Sequence, residues 1–196
     1  LHYTVAMILT SSSNERIKHA KRVREGREPQ LIFIEGERLV EEAVAVASLK
    51  LVVCFHSPEP SARMQKCLSG MSCETFAVED RVLAGLSDTQ NTQGIIVIAE
   101  RPSFALRGLW PTEGQAALLL AFDRVQDPGN FGTLVRTAEA AGAGGIIALE
   151  GSADAYSPKT LRSAMGSAFR LPVVSGVTSE ALFSACAERG IQIVAA

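Results

Sequence analysis

The sequence has no apolar run near the ~20 residues that a helix needs to cross a bilayer, so nothing in it reads as a membrane span. Its opening residues carry no basic run, and their apolar stretch is too short for a secretory leader. There is no initiator Met, and the 196 residues are expected to be part of a longer chain. The four cysteines, Cys54, Cys67, Cys73 and Cys186, form no Cys-x-x-Cys pair, and His2, His19 and His56 do not cluster beside them. That argues against a zinc site, and no metal is expected. Scattered cysteines suit a reducing compartment, where they serve as small core residues, so the expected location is cytoplasmic. Strong net charge is missing too: at −2 the chain offers no global attraction for nucleic acid.

What charge there is lies unevenly. Residues 15–28 hold Arg16, Lys18, Lys21, Arg22, Arg24 and Arg27 against Glu15, Glu25 and Glu28, a local excess of +3 on a remainder of −5. A basic segment on an acidic body fits a polyanion contact, and it equally fits a solvated helix face laced with ion pairs. Ser12 and Glu15 have capping-box spacing. Ile17, Ala20 and Val23 then recur at helical period, and Gly26 and Pro29 end the helix.

Beyond this helix, short β-rich runs at 31–34, 51–55, 75–78 and 94–99 alternate with helical segments over 37–47, 61–68 and 79–86. This predicts a small α/β layer domain within residues 1–103. Residues 104–116 are rich in turn formers, show no period and read as a linker. A second α/β unit occupies 117–196, with strands expected at 117–122, 144–149, 172–174 and 191–195. Its helices are expected over 131–141, from Ser157-Pro158 onward, and over 179–189.

Two segments of this second unit carry chemistry. In Asp127–Arg136 the residues Pro128, Gly129 and Gly132 shape a tight connection at the carboxyl end of a strand, where open α/β sheets bind ligands. Asn130 is placed to cap the following helix, Arg136 lies further in, and Leu134, Val135 and Ala138 are expected to face inward. The bland alternative is an ordinary capped helix with one surface arginine. Residues 157–172 add Lys159, Arg162 and Arg170 on a helix with small residues, which suits a phosphate contact or a solvated basic face. The run Ala141–Gly145 follows a helix and precedes a strand, so it is a cap and turn rather than a nucleotide loop.

Together these segments resemble the SpoU (TrmH-like) family of RNA 2′-O-methyltransferases, within the knotted SPOUT class. The family's first motif, Asn-x-Gly-x-x-x-Arg-x-Ala, is matched by Asn130, Gly132, Arg136 and Ala138, preceded by Val125-Gln126-Asp127-Pro128-Gly129. Its second motif is similar to Ser163-Ala164-Met165-Gly166-Ser167 through Leu171-Pro172. The N-terminal part resembles the family's substrate-binding domain through Asn14 and Ile17-Lys18, the run Phe33–Ala43, Leu86–Thr89 and Gln93-Gly94.

The resemblance implies an α/β fold: a small N-terminal substrate-binding domain, then a SPOUT-type parallel-sheet domain. It implies S-adenosyl-L-methionine as methyl donor, a ribose 2′-hydroxyl in RNA as acceptor, ribosomal RNA ahead of transfer RNA, and a homodimer. Arg136 and Asn130 are the catalytic candidates, and Arg16, Lys18, Lys21, Arg22, Arg24 and Arg162 the RNA-binding ones. A third family motif, which threads the trefoil knot and makes most of the cofactor pocket, is expected beyond Ala196. The cofactor-binding residues are therefore unassigned, and these 196 residues alone are expected to bind little S-adenosylhomocysteine and to be inactive. The alternative is an RNA-binding protein without catalysis in this form.

Overall fold

A computed structural model describes residues 8–89, 92–110 and 118–195. Their order in the N-terminal part is α1 (Glu15–Arg24), β1 (Leu31–Glu35), α2 (Glu37–Ala45), β2 (Leu51–His56), α3 (Ala62–Ser69), β3 (Glu74–Ala77), α4 (Asp80–Leu86) and β4 (Ile95–Glu100). The strands form one sheet in the order β1-β4-β2-β3. β4 runs antiparallel to both β1 and β2, whereas β2 and β3 are parallel. β4 is central, and its first five residues are all buried, because both of its faces are covered.

Strand residues alternate between faces, so each face builds a separate core. Phe33, Phe55, Ile96 and Ile98 pack with Ile17, Ala20 and Val23 of α1 and with Val82, Leu83 and Leu86 of α4. Ile32, Ile34, Ile95 and Val97 join Leu39 and Val40 of α2 on the opposite face. That second core does not stop at the domain edge. It runs on into Phe122, Phe131, Val135, Ile146, Leu161 and Phe169.

Those residues belong to the second unit: β5 (Leu119–Phe122), α5 (Pro128–Ala140), β6 (Gly145–Leu149), α6 (Pro158–Ala164), α7 (Ser167–Arg170), β7 (Val173–Val177) and α8 (Ser179–Glu188). Its sheet is entirely parallel, in the order β5-β6-β7. Phe131 at the start of α5 meets Phe122 at the end of β5 edge to face, 5.1 Å between ring centres. No helix among the described residues is long and apolar enough to cross a membrane.

Several expectations need correction. α1 is capped by Asn14, whose side chain accepts from the Arg16 N–H at 2.9 Å, and not by Ser12; a Ser11–Asn14 turn sets Asn14 at the helix start. The Ala141–Gly145 run does end a helix: Gly142 has φ +76°, and Ala143 N–H returns to the Ala138 carbonyl at 3.0 Å. The segment expected as a linker at 104–116 is docked in its described part. Leu106 and Leu109 pack on Leu149, Val174 and Leu182, and residues 111–116 lie outside the described residues. Leu134 is exposed rather than inward, because the buried stripe of α5 runs through Phe131, Gly132, Val135 and Ala138. No strand forms over 191–195, where Ile193 and Val194 stay exposed; a β-prone run becomes a strand only where a neighbour takes its hydrogen bonds.

The tightest point in the second unit is the crossing of α5 and α6. A side chain at Gly132 would place its Cβ 2.5 Å from the Thr160 carbonyl oxygen and 2.8 Å from the Ala164 nitrogen. Both obstacles are backbone, so no rotamer change can make room. We predict that Gly132→Ala lowers unfolding free energy by about 1–3 kcal/mol through forced separation of the helices. Gly85→Ala in α4, with open space around it, should instead stabilise by about 0.4–1 kcal/mol. Urea denaturation of the two variants checks the pair.

Candidate functional site

The carboxyl ends of β5, β6 and β7 are joined by their loops into one rim. Ser152 donates to the Phe122 carbonyl at 3.1 Å, Ala153 N–H to Val125 at 2.9 Å, and Glu150 N–H to Val177 at 3.0 Å. The loop after β5 leads into α5, and Asp127 is its cap, accepting from the Asn130 N–H at 2.8 Å. Pro128 occupies the first helical turn, where its missing N–H is no loss. Asn130 therefore sits inside the helix and not before it, which corrects the capping role expected of its side chain. The Asn130 N–H, and after it Lys159 at 3.2 Å, hold the Asp127 carboxyl below the usual carboxylate range.

Asn130 and Arg136 are both exposed. Six positions apart on an α-helix, they rise ~9 Å along the axis and point ~120° apart. Among the described residues no hydrogen bond joins them, so within this chain Asn130 does not hold Arg136. Arg136 makes no ion pair with any described residue, which leaves its guanidinium free to meet a ligand.

The second candidate segment folds as two helices rather than one. Met165 (φ +52°) and Gly166 (φ +89°) both turn left-handed between α6 and α7. Position 166 needs glycine for a second reason, across the domain seam: a side chain there would put its Cβ 2.7 Å from Cβ of Glu42 in α2. Arg170 pairs with Glu139 of α5 at 2.6 Å and with Glu42, so one guanidinium joins three helices. Its hydrogen bond to Glu139 lowers that carboxyl and raises the guanidinium. Arg162 pairs with Asp88 at 2.9 Å, and Arg101 bridges to Asp154 at 2.5 Å while stacking over the Tyr156 ring. Burial alone would raise the Asp154 carboxyl; the Arg101 guanidinium and the Tyr156 N–H outweigh it and hold the group low. Burial pushes the Tyr156 phenol up to about 12.

The basic residues of α1 are more committed than their sequence suggests. Lys18 pairs with Glu15 at 2.8 Å, Arg22 with Glu28 at 3.1 Å and Arg27 with Glu25 at 3.1 Å. Arg16 lies over the Phe76 ring at 4.6 Å. Arg24 turns inward, and its Nη1 donates to the carbonyls of Leu86 and Ser87 at 3.0 and 2.9 Å. These are carbonyls at the end of α4, so Arg24 closes a helix terminus. Lys21 has no ion pair among the described residues and lines a groove of about 550 Å³ with Lys18 and Arg81.

A larger cleft of about 710 Å³ opens at the seam between α2 and the α6–α7 turn, with Arg38, Gln93, Arg162 and Met165 in its wall. Of these only Arg162 had been nominated as a site residue. Arg38 and Gln93 fall in runs quoted above for the resemblance, but a lone Arg in a helix carries no signal of what faces it.

A small α/β domain with a mixed sheet, locked to a three-stranded parallel sheet whose first crossover helix carries an open arginine, defines a two-domain protein of the SPOUT-like class. Known proteins give the same answer. The profile of the SpoU rRNA Methylase family matches residues 117–196, and that of the MRM3-like substrate binding domain matches 14–97. An uncharacterized tRNA/rRNA methyltransferase of Synechocystis is 31% identical over 193 residues, covering 95% of this chain and 69% of that protein. The Bacillus subtilis 23S rRNA (guanosine(2553)-2′-O)-methyltransferase RlmP is 33% identical over 171 residues, covering 85% of this chain. The crystal structure of an AdoMet-bound rRNA methyltransferase from Sinorhizobium meliloti superposes with a TM-score of 0.78 at 28% identity, over 93% of this chain and 68% of that one. The chain belongs to the SpoU rRNA methylase family. It spans 64% of the length of the B. subtilis relative.

Arg24→Ala removes a charged donor from two carbonyls and should cost about 1.5–3 kcal/mol of stability. Lys21→Ala, on the open groove, should stay within about 0.5 kcal/mol. Thermal or urea unfolding distinguishes the two; equal effects would mean that Arg24 is not a structural residue.

Proposed function

We propose that the protein methylates a ribose 2′-hydroxyl of RNA, with ribosomal RNA the favoured substrate and S-adenosylmethionine the methyl donor. The observation that carries this is Arg136: a guanidinium with no partner among the described residues, on the helix that leaves the ligand rim of a parallel sheet. The family membership and the relatives named above support it.

When bound, the donor supplies an electrophilic methyl on a sulfonium. The groove and the cleft described above are lined by neither Asn130 nor Arg136. Neither is a seat for a cofactor beside Arg136. What the chain's own residues contribute is position and field. The 2′-hydroxyl must be held in line and must lose its proton as the new bond to oxygen forms. Arg136 is a poor candidate for the base, because a guanidinium stays protonated to about pH 12. It holds the adjacent phosphate by two parallel N–H bonds, or steadies the alkoxide as it develops. In this reading a substrate phosphate relays the proton onward to water.

In this reading Lys21 and Lys18, with Arg16 and Arg22 beside them, hold RNA phosphates from the N-terminal domain. The protein acts as a homodimer, so that a second copy supplies the wall that Asn130 and Arg136 face. The rival reading, an RNA-binding protein without transfer activity, shares the basic groove and lacks any use for an open Arg136.

The whole product of the gene should transfer tritiated methyl from S-adenosylmethionine to unmodified ribosomal RNA, at a ribose that then resists alkaline cleavage. Arg136→Ala should lower kcat by about 10²–10³, the usual cost of one electrostatic donor in a transition state. Arg136→Lys should recover little of it, because an ammonium cannot make the paired bonds. Near-normal turnover by Arg136→Lys would rule out bidentate positioning. RNA binding without any transfer would favour the rival.

A further inference from the structure

The seam cleft is too well supplied with donors to be an accident of packing. Most charges around it are spent locally. Arg63 is bound by Glu41, and Glu42 by Arg170. The buried Glu35 carboxylate accepts from the Ser87 and Thr89 hydroxyls and from the Asp88 N–H. Arg38 has no ion pair with any described residue, and it is the one cation in the cleft wall without a carboxylate partner among them.

Arg162 is only half satisfied. Its Nη1 is buried and lies 2.9 Å from an Asp88 oxygen, yet it makes no properly directed hydrogen bond. A better-placed acceptor would compete well with that contact. Gln93 adds an oriented donor. Its Oε1 accepts from the Glu37 N–H at 2.9 Å, which leaves the amide NH₂ on the other side, with no partner among the described residues. Met165 stands 45% exposed in a left-handed conformation that an L side chain adopts only at a cost of about 1–3 kcal/mol. With Leu39 it gives the cleft an apolar wall. The volume, about 710 Å³, is of the size that encloses a nucleotide-scale ligand.

Cationic donors, an oriented amide and an apolar wall match a phosphate joined to a flat, hydrogen-bonding ring. We infer that the seam cleft seats one nucleotide of the RNA strand, at a site separate from the groove of α1. The phosphate lies between Arg38 and Arg162, and Asp88 yields its place on Arg162 to it. The base lies along Leu39 and Met165, with the Gln93 amide donating to a base acceptor. This inference rests on the reading that the protein acts on RNA. It adds that both domains grip the strand at once, since Arg38 and Gln93 come from one and Arg162 and Met165 from the other.

The test uses the whole gene product and a fluorescein-labelled single-stranded RNA of mixed sequence, about 12 nucleotides long and so within ordinary site sizes. Fluorescence anisotropy should show Arg38→Ala binding about tenfold more weakly, with a salt slope smaller by about one. Arg38 is exposed, so the melting temperature of the variant should match the parent. Lys50→Ala, at the Glu100 pair, should bind as the parent does. The same oligomer carrying 4-thiouridine should crosslink, in the unaltered protein, to peptides spanning 35–42 and 162–165. Unchanged binding by Arg38→Ala, crosslinks confined to α1, or no binding of the oligomer at low salt would each overturn the cleft. If Lys21→Ala weakens binding and Arg38→Ala does not, the cleft falls while the proposed methylation stands. Crosslinks at the cleft without methyl transfer would leave the cleft standing and remove the enzymatic reading.

Discussion

α6 lies so close on α5 that the backbone from Thr160 to Ala164 occupies the space a side chain at residue 132 would need. Much else in the second domain depends on this contact. α5 carries Asn130 and Arg136, α6 carries Arg162, and their separation is set by two backbones rather than by adjustable side chains. Asp127 and Lys159 close the same junction from its open end, where an ion pair 3.2 Å long ties the two helix starts together. A family motif that reads as chemistry is thus partly architecture: within Asn-x-Gly-x-x-x-Arg, the glycine is there because of its neighbour.

The same close approach extends across the domain seam. Gly166 meets Glu42, and Arg170 then binds Glu42 and Glu139 together, so α2, α5 and α7 share one charge cluster. Exposed ion pairs contribute little apiece, and these are half-exposed. What makes the seam firm is the apolar core beneath, which passes without a break from Ile32 and Ile34 to Phe131 and Leu161. The ion pairs select the geometry and the core supplies the free energy. A continuous core across the seam would suit the proposed activity, in which a strand held by one domain meets an arginine on the other.

Much of the fold could be read from the sequence, because its determinants are local. Short apolar, β-rich runs located the seven strands of the described residues, and helical spacing with the Ser157-Pro158 cap marks helix starts. The readings that failed depend on partners distant in the chain. Run 191–195 looks like a strand but finds no ladder, and 106–110 looks like linker but docks through Leu109 beside Gly145. The site divides in the same way. Arg136 was visible because its motif is contiguous. Arg24 passed for a surface cation because its acceptors, 62 and 63 residues away, cannot be seen from α1. Arg38 was invisible as a site residue for the complementary reason: only the assembled seam shows that no carboxylate among the described residues pairs with it.

Continuity of the seam is the central claim, and hydrogen exchange followed by mass spectrometry under increasing urea tests it most directly. β4 (Ile95–Glu100) lies at the centre of one sheet and β6 (Gly145–Leu149) at the centre of the other. If the shared core joins the domains into one cooperative unit, the slowest amides of both strands should open with the same free energy and the same urea dependence. Exposure of β6 at a urea concentration where β4 remains fully protected, or the reverse, would show two independent domains and contradict the account.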